Sequence, residues 1–225
     1  MPANIFETAP RSMRENRRRV GKATQAEIAH VAARMLVEGT AETFAEAKRK
    51  AAESLGLMHA RKLPENMAVH EALIDYQALF GGDAHRERII SLRRAALTAL
   101  QALAAFEPRL VGPVLYGTAC EYSPVTLHLY TDEVEAVIRH FHDIGMAYGL
   151  GETRLNTQGK QYAMFPSFAL SDGDIDFDIV VLPLAYLAHP PLSSLDGKPF
   201  RRATTTTLEK LLAGDDPAGT QSVSA

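Results

Sequence analysis

Three aspartates alternate along one short segment of the chain, at Asp174, Asp176 and Asp178. In an extended strand alternate side chains share a face, so these carboxylates would project opposite to Ile175 and Phe177. Neighbouring side chains on such a face are only ~6.5–7 Å apart, and ionised carboxylates at that spacing repel one another. Solvent, a nearby Arg or Lys, or a bound cation would have to offset the repulsion. The spacing therefore leaves two interpretations, an exposed acidic edge and a cation site.

Two common ligand-binding loops are excluded by their spacing. A calcium-binding EF-hand that starts at Asp174 requires glycine at its sixth position and glutamate at its twelfth, where this chain has Ile179 and Ala185. Lys160 does not belong to a phosphate-binding P-loop, because Gln161 stands where that loop has serine or threonine. Any phosphate or metal binding must therefore use another arrangement.

The chain has one cysteine, Cys120. A single cysteine excludes a disulfide framework and a zinc site built from cysteines. No histidine can be assigned to it from the sequence as a catalytic partner, so we expect an ordinary reduced thiol rather than a nucleophile.

The charge is unevenly distributed along the 225 residues, although the formal net charge is only −3. Residues 1–22 carry six Lys and Arg against two Glu, residues 23–109 carry eleven of each sign, and residues 110–225 carry seven basic against fourteen acidic residues. Because 46% of the chain is hydrophobic, a folded core is expected as well. We therefore expect three physically distinct regions.

Residues 1–22 are predicted to form a flexible basic arm, since they contain little apolar sequence to bury. Arg14, Arg17, Arg18 and Arg19 are candidates for contacts with the phosphates of a nucleic acid. A solubilising tail or a frayed helix fits the same composition. No apolar run approaches the ~18–20 residues of a membrane span, and no apolar secretory segment is present. We therefore expect a cytoplasmic protein without a membrane partner.

Residues 23–107 are predicted to form about four helices. Thr24 and Thr43 each begin a capping-box pattern, Pro64 suits a first helical turn, and Asp83 suits the start of a longer helix. Apolar residues then recur at helical spacing.

The fourth predicted helix carries a basic face. Arg86, Arg93 and Arg94 are spaced so that they would share one side of that helix, with Glu87 interrupting them. A solvated surface is the simpler interpretation, and contact with phosphates is the alternative.

Residues 108–213 change to a strand-rich pattern. Alternating apolar residues, and a turn signal at 171–173, predict strands with one helix after the second of them and a short last helix from about Thr207. The predicted strands cover 110–116, about 125–130, 161–170 and 175–182. The predicted fold class is α+β, with a helical N-terminal half and a small mixed or antiparallel sheet, and residues 214–225 are predicted to be disordered.

Three motifs in this second half resemble those of the polymerase-β-like nucleotidyltransferase superfamily over about residues 110–185. They are LYGT at 115–118, SPVTL at 123–127 and FDIVVLP at 177–183. That family has a Gly-Ser pair after its first strand, a second strand of the type Ser-Asp-Ile-Asp-Leu, and a third carboxylate on a later strand. Its first two carboxylates hold the Mg²⁺ ions that carry a nucleoside triphosphate, and its third binds a metal and helps deprotonate the attacking hydroxyl.

The resemblance implies two sets of candidate residues. Gly117 and Thr118 match the phosphate-cradling pair, and Ser123 is a further nucleotide-binding candidate. Asp178 matches the third carboxylate and Asp176 lies one pleat away, so both are catalytic and metal-binding candidates. The basic Lys160 is added to the nucleotide-binding candidates because it could neutralise a triphosphate.

The chain departs from the family at Pro124 and Thr126, which stand where the family has its first two aspartates. Proline cannot ligate a metal through its side chain, and threonine replaces a carboxylate poorly around Mg²⁺. We therefore expect a nucleotidyltransferase-like protein that binds a nucleotide or nucleic acid through a degenerate two-metal site. Whether it is an enzyme is left open, with Mg²⁺ as the cofactor if it is active.

Two alternatives stay open. One is an active nucleotidyltransferase with a rearranged metal site, which would transfer from a nucleoside triphosphate to an RNA or protein hydroxyl. The other is a non-catalytic helical protein that binds a protein partner or a nucleic acid.

Overall fold

The computed structural model describes residues 11–57, 62–158 and 161–215, with side chains from residue 24 onward. These residues form α-helices and a five-stranded mixed sheet, which confirms the predicted α+β class. The chain divides into two compact units, Met1–Tyr76 and Gln77–Ala225. Within the described residues, no helix is both long and apolar enough to cross a membrane.

The first unit is helical. Its elements are α1 (Arg11–Val37), α2 (Phe44–Ser54) and most of α3 (Asn66–Phe80). The predicted cap at Thr43 is confirmed, because its hydroxyl accepts a hydrogen bond from the Glu46 amide at 3.2 Å. The predicted start at Thr24 is wrong, since α1 begins at Arg11 and its backbone runs through residues 11–22 of the expected arm.

The described residues of the second unit form the sheet and four α-helices that begin after α3. Its helices are α4 (Gly82–Ala102), α5 (Gly112–Tyr116), α6 (Val134–Asp143) and α7 (Thr205–Asp215). Its strands are β1 (Arg109–Val111), β2 (Val125–Tyr130), β3 (Gly149–Gln158), β4 (Gln161–Asp172) and β5 (Ile175–Leu182). The strand order is β1-β2-β5-β4-β3, with β2 parallel to β5 and the other pairs antiparallel.

The main core of this unit lies on one face of the sheet. Leu127 and Leu129 of β2, with Ile179 and Val181 of β5, are buried there in one cluster with residues of α4, α6 and α7. The helix α4 therefore belongs to the sheet unit, so the division of the chain lies at residues 76/77 rather than at the predicted 107/108.

The opposite face of the sheet is covered over only part of its length in the described structure. Tyr130, Phe165, Val180 and Leu182 form a second buried cluster there, against a 3-10 turn at Leu184–Leu187. Further along β5 toward its N-terminus, the same face carries Asp178 and Asp176, because side chains alternate along a strand.

Two strand predictions differ from the structure. The strand predicted at 110–116 is only β1, because Gly112 has a φ of +74° and begins the short helix α5, with Pro113 in its first turn. The strand β3 was not predicted, since its polar and glycine-rich residues are largely exposed and give no alternating apolar signal. The hairpin predicted around Gly173 is confirmed by the antiparallel pairing of β4 with β5.

Candidate functional site

Strand β5 positions the two candidate carboxylates between two neighbouring strands. Asp178 pairs with Thr126 of β2 on one side and with Ala169 of β4 on the other, and Asp176 pairs with Ser171. Paired residues of adjacent strands project to the same face of a sheet. Asp174 precedes β5 in the turn, so the strand itself carries two of the three alternating aspartates.

An open cavity of about 470 Å³ lies at these carboxylates. Its lining comes from the segment before β2, from β4 and from β5. The lining residues are Tyr122, Pro124, Ala169, Leu170, Ser171, Asp176, Phe177 and Asp178. The structure thus brings both predicted metal-binding residues to one cavity, next to the proline that stands where the resembled family has its first aspartate.

The two carboxylates differ in their surroundings. Asp176 is exposed and accepts a hydrogen bond from the Ser171 hydroxyl at 2.5 Å. Asp178 is half-buried, and burial raises the pKa of its carboxyl above the ordinary value. Among the described residues, no Lys, Arg or His forms an ion pair with either carboxylate. Of the means expected to offset the repulsion, solvent and a bound cation are therefore the two that remain among the described residues.

The oxygen donors at the cavity fit one hard cation better than two. Mg²⁺ is usually held by one or two carboxylates together with water and substrate phosphates, which Asp176 and Asp178 would allow. Pro124 supplies no side-chain ligand, and Thr126, which pairs with Asp178, is not among the residues that line the cavity. In the part of the chain that the structure describes, no three His, Cys, Asp or Glu side chains gather into a metal-holding group. A two-ion clamp would need more carboxylates than this face provides.

The predicted phosphate pair lies against α4 rather than at the cavity. Gly117 ends α5 with a φ of +77°, and its carbonyl oxygen lies 3.1 Å from Nε2 of His85. Thr118 is only 5% exposed, and its carbonyl accepts a hydrogen bond from the Gln77 side-chain amide at 3.4 Å. Neither Gly117 nor Thr118 lines the cavity. Their backbone is fixed in place by contacts with α4 and the end of α3.

The predicted nucleotide-binding Ser123 closes a turn. Its hydroxyl accepts a hydrogen bond from the Cys120 amide at 2.9 Å, and its own amide donates to the Cys120 carbonyl at 3.1 Å. The residues on either side of it, Tyr122 and Pro124, line the cavity. Ser123 therefore positions the cavity wall.

The remaining candidates cannot be placed at a site. Lys160 lies outside the described residues. Arg14, Arg17, Arg18 and Arg19 have a helical backbone within α1, but their side chains lie outside the described residues. Their contact with nucleic acid stays a prediction.

Arg93 is buried and supports the segment before the cavity, so the predicted solvated face is wrong at this residue. It is 7% exposed, and its guanidinium donates to the carbonyls of Val114 at 3.2 Å and Leu115 at 3.0 Å while it pairs with Asp215. The helical spacing indicates this burial, because Arg93 lies four residues after Ile89 and therefore on the buried side of α4. Together with Gln77 and His85, Arg93 anchors the α5 segment that precedes the cavity wall.

Cys120 lies in the same anchored segment. Burial raises the pKa of its thiol to about 11, so the thiol is neutral near pH 7. A neutral, partly buried thiol fits the expectation of an ordinary reduced cysteine.

Comparisons with models of protein families, with curated proteins and with solved structures find no match for this chain.

Proposed function

We propose that the second unit is a nucleotidyltransferase-like domain that binds a nucleotide together with a single divalent cation at the Asp176/Asp178 cavity. The main support is the parallel register of β2 and β5, which sets Thr126 beside Asp178. In the resembled family, carboxylates from two strands hold shared ions, so those strands must be neighbours. The register is compatible with that requirement, with threonine where the second strand would supply a carboxylate.

Asp178 and Asp176 would hold the cation in this proposal. Two carboxylates alone would repel a negatively charged polyphosphate. The cation would lie between them and supply the positive charge that offsets this repulsion. Because Pro124 and Thr126 provide no further carboxylate, a second ion is not held by this face. We therefore expect nucleotide binding without efficient transfer, since phosphoryl transfer of this type uses both ions to stabilise the attacking and leaving oxygens.

Thermal unfolding in the presence of each nucleoside triphosphate, with and without Mg²⁺ or Mn²⁺, tests the proposal. A bound ligand at one hundred times its Kd stabilises the folded protein by about 2.7 kcal/mol, which is readily detected. We expect stabilisation only when nucleotide and metal are both present. If no nucleotide raises the melting temperature with either metal, the proposal is wrong.

Two variants locate the binding. Asp178→Asn should abolish the metal-dependent stabilisation, because it removes a charged ligand while keeping the side-chain shape. Asp174→Asn is the matched control, since it removes one charge from the same acidic run but lies outside the cavity lining, and it should leave binding unchanged.

A transfer assay with radiolabelled nucleoside triphosphate and RNA or protein acceptors separates the binding protein from the active enzyme. We expect no transfer above background. Transfer that Asp178→Ala abolishes would instead support the active alternative with a rearranged site.

A further inference from the structure

Tyr122 is a large aromatic residue that is exposed to solvent at the edge of the candidate site. Its side chain is 71% exposed, yet it lines the same cavity as Asp176 and Asp178. Exposed single apolar residues are common on protein surfaces and need no explanation by themselves. The position of this ring beside two carboxylates in a cavity does require an explanation.

The turn that carries Tyr122 is fixed by several hydrogen bonds. Ser123 and Cys120 close it with two bonds of 2.9 and 3.1 Å between them. The Arg88 guanidinium of α4 donates to the carbonyl of Glu121, the residue before the tyrosine. The backbone under the ring is therefore ordered before any ligand arrives, which lowers the entropy cost of using the ring for binding.

The cavity lining combines two kinds of surface. Tyr122 and Pro124 contribute aromatic and apolar groups, while Asp176 and Asp178 contribute carboxylates. A ligand that fits both has a flat ring with apolar faces and a group that binds a cation. A nucleoside polyphosphate has both parts, whereas an inorganic polyphosphate has only the second.

We propose that the base of the bound nucleotide stacks on the ring of Tyr122, so that the site takes a nucleoside polyphosphate in preference to a polyphosphate alone. This inference rests on the proposed function of the cavity. Because every base presents a π-face, stacking of this kind tolerates all four bases. The site should therefore discriminate weakly among the common nucleoside triphosphates.

Calorimetric titration of the full chain with Mg²⁺ present tests the inference, with ATP, CTP and inorganic tripolyphosphate as ligands. Stacking on an aromatic side chain strengthens binding by about 5- to 150-fold per base. We expect ATP and CTP to bind more tightly than tripolyphosphate within that range. Tyr122→Ala should remove this preference and leave tripolyphosphate affinity unchanged, while Tyr122→Phe should retain the preference.

A second exposed tyrosine provides the control. Tyr162 is 53% exposed and lies outside the cavity lining, so Tyr162→Ala should not change the affinity for any of the three ligands. Equal wild-type affinities for ATP and tripolyphosphate would overturn the stacking inference and leave the cation and phosphate site standing. Absence of binding by all three ligands would overturn both proposals. If Tyr122→Phe binds ATP as weakly as Tyr122→Ala does, the preference for ATP depends on the hydroxyl, and the stacking inference is overturned.

Discussion

Thr126 lies directly opposite Asp178 in the parallel pairing of β2 with β5. Neighbouring strands are ~4.8 Å apart and paired side chains share a face, so the two side chains can reach one ion. In the proposed cation site, a hydroxyl at this position would contribute less to binding than a carboxylate would.

The variant Thr126→Asp should strengthen divalent-cation binding, because it adds a carboxylate on the strand next to Asp178. We expect the affinity for Mn²⁺ to rise by about tenfold or more, which corresponds to ~1.4 kcal/mol. In the absence of metal the same variant should be less stable than wild type, since two carboxylates then face each other and repel. Calorimetric titration with Mn²⁺ and unfolding with and without chelator measure both effects.

Thr126→Asn is the control for that variant, as it adds a side chain of the same shape without a charge. It should not raise Mn²⁺ affinity. If Thr126→Asp binds Mn²⁺ no better than Thr126→Asn, the two side chains do not share an ion.

Asp178 should also make stability depend on pH in metal-free buffer. Burial raises the pKa of its carboxyl in the folded protein above the unfolded value, so the unfolded chain ionises first as the pH rises. The contribution of this group to stability is therefore lost as the pH rises from the unfolded pKa through the folded one. Asp178→Asn should be more stable than wild type at pH 7, and the difference should shrink toward pH 4.

Urea unfolding at several pH values in the presence of chelator measures this difference. Asp174→Asn, which removes one charge from an exposed turn residue of the same acidic run, is the charge-matched control. A stability difference between wild type and Asp178→Asn that does not vary with pH would contradict the assigned cause.

His128 should make the protein sensitive to mild acid. It is 1% exposed on β2, and burial together with the nearby Arg202 lowers its pKa from 6.5 to about 4. Because its folded pKa is lowered, the stability it contributes is present above pH 6.5 and is lost as the pH falls toward 4. The full loss is about 3 kcal/mol, with about 2 kcal/mol of it reached by pH 5.

Replacing His128 by leucine should remove that loss. No described residue forms a hydrogen bond with Nδ1 of His128, so the apolar replacement should cost little at pH 7.5. Denaturant unfolding at pH 7.5 and pH 5 compares the variants, with the exposed His189→Gln as the control. Equal acid sensitivity of wild type and His128→Leu would contradict this assignment.

Local patterns in the sequence predict the strands around the cavity, but they do not predict where β1 ends or that β3 exists. Strands β2 and β5 alternate apolar and polar residues, so the shared face of Asp176 and Asp178 follows from the period of two. Gly112 and Pro113 end β1 early through their own backbone preferences, which a count of apolar residues does not register. Strand β3 is specified by its pairing with β4, and that is a tertiary contact.

The supporting contacts of the site were beyond sequence reasoning for a different reason. The carbonyls of Gly117 and Thr118 are held by His85 and Gln77, which lie more than thirty residues earlier in the chain. An apolar stripe shows that a helix is buried on one side, but it does not show which unit buries it. The sequence pattern therefore groups α4 with the helical half and does not indicate its contacts with α5.

Arg93 gives the most direct test of those supporting contacts. Its guanidinium is buried and joins two carbonyls of α5 to Asp215 at the end of α7. Arg93→Met should cost about 2–4 kcal/mol of stability, because it leaves buried acceptors without donors and a carboxylate without its partner. The neighbouring Arg94→Met is the matched control, since Arg94 is exposed and an exposed charged side chain contributes at most about 1 kcal/mol through its interactions. Denaturant unfolding followed by circular dichroism measures both, and equal losses in the two variants would show that the buried contacts of Arg93 do not stabilise the fold.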